Sequence, residues 1–188
     1  MNTEKLVEVF GEWPLRMGGF MKVSYEQFKK DWLNTYSEPG DEELRSEKAI
    51  KDAYNTLNLP TRADIRSCGY DFYSPLDFVL DPDEDINIPT GIKVWMLPGW
   101  YLSCHPRSGM GFKYYCRLCN TTGIIDASYY NNPGNEGHCF IKIRNEGNHR
   151  MVVHKGDRFC QGIFNIHGVT TDDNTFGIRT GGLGSSGK

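Results

Sequence analysis

Residues 86–99 read Ile-Asn-Ile-Pro-Thr-Gly-Ile-Lys-Val-Trp-Met-Leu-Pro-Gly. Ile86 to Ile88 and Val94 to Leu97 are short runs rich in β-branched and aromatic residues, and each is cut by turn formers, Pro89-Thr-Gly91 and then Pro98-Gly99. Such runs, closed by residues that preset or permit turn dihedrals, are strands. The pattern continues downstream. Cys139-Phe-Ile-Lys-Ile143 precedes Asn145-Glu-Gly147, and Met151-Val-Val153 and the run from Phe159 to Phe164 extend the series. With no helical pattern between these runs after Pro60, the region is expected to be an all-β barrel or sandwich.

Upstream of Pro60 the period changes. Ser24-Tyr-Glu-Gln27 has capping-box spacing, and Tyr25, Phe28, Trp32 and Leu33 follow at helical intervals until the breaker Ser37-Glu-Pro-Gly-Asp41. A second helix is predicted over residues 42–58, where Ala49, Ile50, Ala53, Tyr54 and Leu57 form one apolar stripe opposite a charged face. From Thr170 the chain becomes polar and runs into Arg179-Thr-Gly-Gly-Leu-Gly-Ser-Ser-Gly-Lys188, which cannot form a core element. The expected organisation is a helical extension (1–58), a β domain (59–170) and a flexible glycine-rich arm (171–188).

The 188 residues suit one domain with a modest appendage. Hydrophobic residues at 38% are lean for a free-standing core, whereas 13% aromatic and 24% charged residues exclude a disordered chain. Sharing of apolar surface with copies of itself is expected. The 21 Lys+Arg against 24 Asp+Glu leave no basic footprint for nucleic acid. No apolar run approaches the roughly 20 residues needed to cross a bilayer, and the first residues lack a secretory pattern. A soluble, cytoplasmic protein with neither nucleic acid nor membrane as partner is expected.

The six cysteines are read as reduced, buried small hydrophobes, because the chain is too long for a disulfide scaffold. Cys116-Arg-Leu-Cys119 lacks a second ligand pair for zinc and a βαβ context for redox chemistry, so it is read as two core-facing or edge cysteines. The five histidines have no ligand spacing and are read as surface or locally hydrogen-bonded. Gly182-Leu-Gly-Ser-Ser-Gly-Lys188 superficially fits a phosphate loop, but it lacks the preceding strand, following Ser/Thr and helix that give that loop its chemistry.

Polar chemistry within the β region runs in a definite order: Gly69-Tyr-Asp71, Pro106-Arg-Ser-Gly109, Asn120 with Gly123-Ile-Ile-Asp126 and Tyr129, Gly156-Asp-Arg with Gln161, then Arg179 with the glycines. In this order the residues resemble the five motifs of the trimeric all-β dUTPases over residues 60–188, in particular the branch of Gram-positive bacteria and their phages, whose chains carry a helical extension. The resemblance implies a mainly β fold, a distorted β-barrel or jelly-roll-like domain with an N-terminal helical extension. It also implies a homotrimer with sites shared between subunits.

By the same resemblance the activity is hydrolysis of dUTP to dUMP and pyrophosphate, which keeps uracil out of DNA and supplies dUMP for thymidylate synthesis. Asp126 would be the general base that deprotonates the attacking water. Arg107, Ser108, Gly109 and Gln161 would engage the triphosphate, Mg²⁺ would arrive on it, and Asp71 would support the site. The strand from Asn120 through Gly123 and Ile125 to Asp126, with its hairpin return at Phe140, would read uracil through backbone groups. Tyr129 would pack under the deoxyribose and exclude a 2′-hydroxyl. Arg179, Leu183, Gly184 and Ser185 would close over the nucleotide as a lid. Ser128 stands where many members carry a second aspartate, and Leu183 where an aromatic stacks on uracil. Two other readings are a dCTP deaminase of the same fold, which the Gly-Ile-Ile-Asp run and Tyr129 disfavour, and a phage-type protein whose main task is to capture a regulatory protein partner.

Overall fold

The computed structural model describes residues 15–177, 179, 181 and 182. In chain order the described elements are β1 (Gly18–Lys22), α1 (Tyr25–Thr35), α2 (Glu47–Asn55), β2 (Thr61–Arg62), β3 (Tyr70–Tyr73), β4 (Phe78–Leu80), β5 (Asp85–Pro89) and β6 (Ile92–Met96). There follow β7 (Trp100–Pro106), α3 (Ser108–Tyr114), β8 (Arg117–Leu118), β9 (Gly123–Asp126), a 3₁₀ turn (Ala127–Tyr129), β10 (Phe140–Arg144), β11 (Met151–Val153) and β12 (Arg158–Ile166). The fold is mainly β, and every strand ladder is antiparallel.

The largest sheet has the order β2-β3-β12-β7-β9, and a second has the order β5-β10-β8. The pairs β1-β6 and β11-β4 complete a distorted jelly-roll-like arrangement, in which the ladders do not close into one continuous barrel among the described residues. Alternation decides what each strand buries. In β10, Ile141 and Ile143 point into the core while Lys142 is exposed, and in β11 Met151 and Val153 enclose an outward Val152. Leu102, Ile143, Met151 and Phe159 are fully buried in one apolar cluster. Each side chain of this size contributes roughly 1.5–3 kcal/mol on leaving water.

The helical extension shares that core. Ser24 caps α1 by accepting the Gln27 N–H at 3.2 Å, and the helical spacing delivers Phe28 and Trp32 into the apolar cluster. Ser46 caps α2 through the Ala49 N–H, also at 3.2 Å. This cap corrects the expected start at residue 42: residues 42–45 form turns, and the helix begins only where a side chain can satisfy its first N–H groups.

Two elements depart from the expected pattern. Strand β1 precedes the helices and pairs with β6, Phe20 opposite Val94, so that the Phe20 ring packs against Tyr70, Phe72 and Phe164. Its Gly18-Gly19 start hid it, since glycine disfavours strands unless the backbone must approach closely, and a Cβ at Gly18 would stand 2.6 Å from the Trp95 carbonyl. Helix α3 interrupts the β region. Gly109 and Gly111 give it poor helix propensity, and Tyr115 ends it in the left-handed conformation at φ 49°.

Candidate active site

Strand β7 carries the candidate site on two flanks. On one side it pairs with β9, Tyr101 opposite Asp126 and Cys104 opposite Gly123. A Cβ at Gly123 would stand only 3.1 Å from Cys104 Cβ, so glycine lets the two strands come together here. Beyond β9 opens a cavity of about 420 Å³, lined among others by Asn120, Gly123, Ile125, Asp126, Tyr129, Phe140 and Arg179. Seven sequence-predicted residues are thus brought together around one concave surface.

The geometry within this cavity is specific. Asp126 ends β9 with its side chain 55% exposed, and Arg179 Nη1 donates to its Oδ2 at 3.2 Å. The same guanidinium lies over the Tyr129 ring, 4.9 Å from its centroid. Tyr129 is buried, its hydroxyl donates to the His138 carbonyl at 3.0 Å, and it accepts from Asn135 Nδ2 at 2.7 Å. Burial pushes the Tyr129 phenol above its ordinary value, with the Asn135 bond opposing that rise. The hydroxyl is therefore committed inward as a neutral group, and the ring is what the cavity meets.

The expected hairpin needs correction. Phe140 lines the cavity, but its strand β10 pairs with β5 and β8, whereas Gly123–Asp126 pairs with β7. The 3₁₀ turn and the polar loop of residues 130–138 carry the chain away after Asp126, so it does not return alongside β9. Asn120 sits in the turn before β9, joined to it by the Thr122 N–H bond to the Asn120 carbonyl at 2.7 Å.

On its other flank β7 pairs with β12, which in turn pairs with β3, and a second polar cluster gathers there. Arg107 Nε stands 2.8 Å from Asp71 Oδ1, Arg158 Nη1 stands 3.3 Å from Asp71 Oδ2, and Gln161 Nε2 donates to the Pro106 carbonyl at 3.2 Å. Ser108 and Gly109 open α3 next to Arg107. None of these residues lines the cavity of Asp126. Along β7 the rung of Asp126, at Tyr101, lies five residues from Pro106, about 17 Å at strand rise. Asp126 and the arginine cluster thus lie on opposite flanks of β7, toward its two ends.

Leu183, Gly184 and Ser185 lie outside the described residues. Of the six cysteines, Cys104, Cys116, Cys139 and Cys160 are buried while Cys68 and Cys119 are exposed, and all are free. Cys119 and Lys142 also line the cavity, a placement that neither residue's sequence context signals. His138 departs from the reading of the histidines as surface or locally hydrogen-bonded, for it is fully buried and its ring bonds Gly91 and Asp31, both far from it in sequence. The signal available for it was the run Asn131-Asn-Pro-Gly-Asn-Glu-Gly-His138, too polar and too long for a plain hairpin turn.

Sequence and fold comparisons agree on kinship. The dUTPase family model matches residues 55–187. The chain belongs to the dUTPase family. The deoxyuridine 5′-triphosphate nucleotidohydrolase of Lactococcus lactis is 40% identical over 133 residues, covering 70% of this chain and 89% of that protein. The crystal structure of the dUTPase from Streptococcus mutans superposes with a TM-score of 0.58 at 27% identity, covering 81% of this chain and 98% of that one. A mutant dUTPase from phage phi11 of S. aureus, described with a structural Mg(II) ion, shares the fold at a TM-score of 0.52 and 21% identity, covering 64% of this chain and 91% of that one. The dUTPase family region thus takes in both half-sites and leaves β1 and α1 outside it.

Proposed function

We propose that this dUTPase-family chain hydrolyses dUTP to dUMP and pyrophosphate; its Lactococcus lactis relative is named a deoxyuridine 5′-triphosphate nucleotidohydrolase. The observation that carries the reading is Asp126, solvent-accessible at the mouth of a cavity floored by the Tyr129 ring and paired with Arg179. Water attacks the α-phosphorus while Asp126 takes its proton, the bond from that phosphorus to the bridging oxygen breaks, and pyrophosphate leaves with the electron pair. Arg179, freed from Asp126 toward the phosphates, supplies charge-assisted donors.

The placement of the two clusters on opposite flanks of β7, with Tyr101 and Pro106 about 17 Å apart along the strand, supports a shared site. Asn120, Gly123, Ile125, Asp126, Tyr129 and Phe140 of one copy hold the nucleoside, and Arg107, Ser108, Gly109 and Gln161 of another face its phosphates. Asp71 fixes Arg107 for that task. A homotrimer, with the glycine arm closing over the nucleotide, is the assembly this reading proposes to bring the two halves together. Buried, fixed donors and acceptors around the base reject near-miss substrates more sharply than apolar contact does.

Magnesium enters this reading with the triphosphate, as part of the substrate. Among the described residues no three His, Cys, Asp or Glu side chains are grouped to hold a metal, and both site carboxylates are already paired with arginines. Among the described residues no helix is long and apolar enough to cross a membrane. The deciding experiment is a nucleotide panel with magnesium, scored for pyrophosphate. Release from dUTP in preference to dTTP, UTP and dCTP is expected, whereas deamination of dCTP without pyrophosphate release from dUTP would overturn the proposal.

A further inference from the structure

His138 is fully buried, yet it stands behind two walls of the cavity. Its ring lies against that of Phe140 at 4.7 Å between centroids, and its backbone carbonyl accepts the Tyr129 hydroxyl. Both ring nitrogens are used. The Gly91 N–H reaches Nε2 at 2.7 Å, and an amide N–H can only donate, so Nε2 is the bare nitrogen and Nδ1 carries the proton. Nδ1 stands 2.6 Å from Asp31 Oδ2, which also accepts from Gln27 Nε2 at 2.8 Å. Asp31 belongs to α1, upstream of the family-matched residues 55–187.

The imidazole thus bridges the helical extension to the cavity. Gly91 sits at φ +73°, a conformation glycine adopts without strain, and this aims its N–H at the ring. The His138 N–H donates to the Asn135 carbonyl at 2.9 Å, and the Asn135 side chain reaches the Tyr129 hydroxyl. Glu136, between them, accepts from the Ser24 N–H at 3.0 Å, so the capping residue of α1 holds the same loop at a second point. Every polar bond of the Tyr129 hydroxyl therefore ends on a segment that α1 anchors.

We infer that Asp31 and His138 are positioning residues, through which α1 sets the plane of the Tyr129 ring and with it the discrimination of deoxyribonucleotide from ribonucleotide. This inference rests on the dUTP reading of the site. A ring that meets the sugar face rejects a 2′-hydroxyl only by close overlap, so a displacement of a fraction of an ångström relaxes the rejection while the catalytic carboxylate, on β9, keeps its place.

The experiment measures kcat/KM on dUTP and on UTP for the parent, H138F, D31A, D31N and N135D, with thermal melts of each. H138F keeps an aromatic ring beside Phe140 but cannot hold Asp31 or the Gly91 N–H. D31N keeps an acceptor for Nδ1. N135D turns the donor that faces the Tyr129 hydroxyl into an acceptor at constant size. H138F, D31A and N135D are expected to lower the dUTP-to-UTP ratio by ~10-fold, and D31N to stay within about threefold of the parent. A cooperatively melting H138F or D31A whose ratio stays within about threefold of the parent overturns the inference. Should both fail to fold, N135D decides on the same criterion. A parent that does not turn over dUTP overturns the proposed function and this inference with it, whereas equal discrimination by parent and variants overturns the inference alone.

Discussion

Arg179 Nη1 stands 3.2 Å from Asp126 Oδ2, so the proposed base is paired with a guanidinium. The pair is more than half exposed on the aspartate side, where an ion pair adds at most about 1 kcal/mol to stability. Asp126→Asn and Arg179→Ala are therefore expected to melt within a few degrees of the parent. Their kinetics should differ. Asp126→Asn should lower kcat by about 10²- to 10⁴-fold with KM little changed, since the proton acceptor is needed only in the transition state. Arg179→Ala should raise KM as well, because its guanidinium serves the ground-state phosphates and the Tyr129 face. An Asp126→Asn enzyme with the parent's rate in steady-state assays would remove Asp126 from the mechanism.

Thiol labelling offers an independent view of the cavity. Burial drives the Cys139 and Cys160 thiols well above the ordinary range and Cys116 up to about 12, so none of these presents thiolate near neutral pH. The two exposed thiols, Cys68 and Cys119, should label first in the native protein. Of these two, Cys119 lines the cavity and Cys68 does not. A non-hydrolysable dUTP analogue should slow labelling at Cys119, as read by peptide mass spectrometry. Equal labelling of Cys119 with and without the analogue would argue that the nucleotide sits elsewhere.

The helices were legible because Ser24 and Ser46 cap them and their apolar stripes keep helical period. The strands were legible because turn formers bracket them. What escaped is what sequence-local signals do not encode. The glycines that open β1 carry no strand signal and the strand exists because it pairs with β6, Phe20 opposite Val94, while β9 could not be assigned to β7 because ladder partners are set by the path of residues 127–139. The site motifs were legible as residue types in order, yet their division into two groups at opposite flanks of β7 needed the register. The burial of His138 is not sequence-local for a related reason: a histidine is buried when its two nitrogens find partners, and those partners, Asp31 and Gly91, lie 107 and 47 residues away in sequence.

Acid should loosen the helical extension. Glu47 holds α1 to α2 by accepting from Lys29 Nζ at 2.6 Å and from the Tyr25 hydroxyl at 2.8 Å, and these bonds, the lysine's foremost, lower its carboxyl from 4.5 to about 2. A folded-state value below the unfolded one means that the stabilisation is complete above pH 4.5 and is lost as pH falls toward 2. Glu47→Gln should therefore melt below the parent at pH 6 and converge with it near pH 2. Parallel melting curves across that range would show that this clamp contributes nothing.

Subunit mixing tests the division of the site most directly. Asp126→Asn disables the cavity half and Arg107→Ala the phosphate half, and each variant alone should be nearly inactive. Removing Arg107 leaves Asp71, whose side chain is only 9% exposed, with Arg158 at 3.3 Å as its remaining partner, so this variant should also lose roughly 1.5–3 kcal/mol of stability. If both halves came from one chain, every site in a mixture would contain a disabled half. If they come from neighbouring copies in a cyclic assembly, a site that draws its cavity from an Arg107→Ala chain and its phosphate arm from an Asp126→Asn chain is intact. Equal, randomly exchanged chains then leave about a quarter of the sites whole. Unfolding and refolding the two variants together should recover roughly that share of parent activity, whereas mixing them after separate refolding should recover it only as fast as subunits exchange. No recovery from the co-refolded mixture would mean that Asp126 and Arg107, on opposite flanks of β7 and toward its two ends, meet within one chain, by a rearrangement of β7 and its flanking strands on binding.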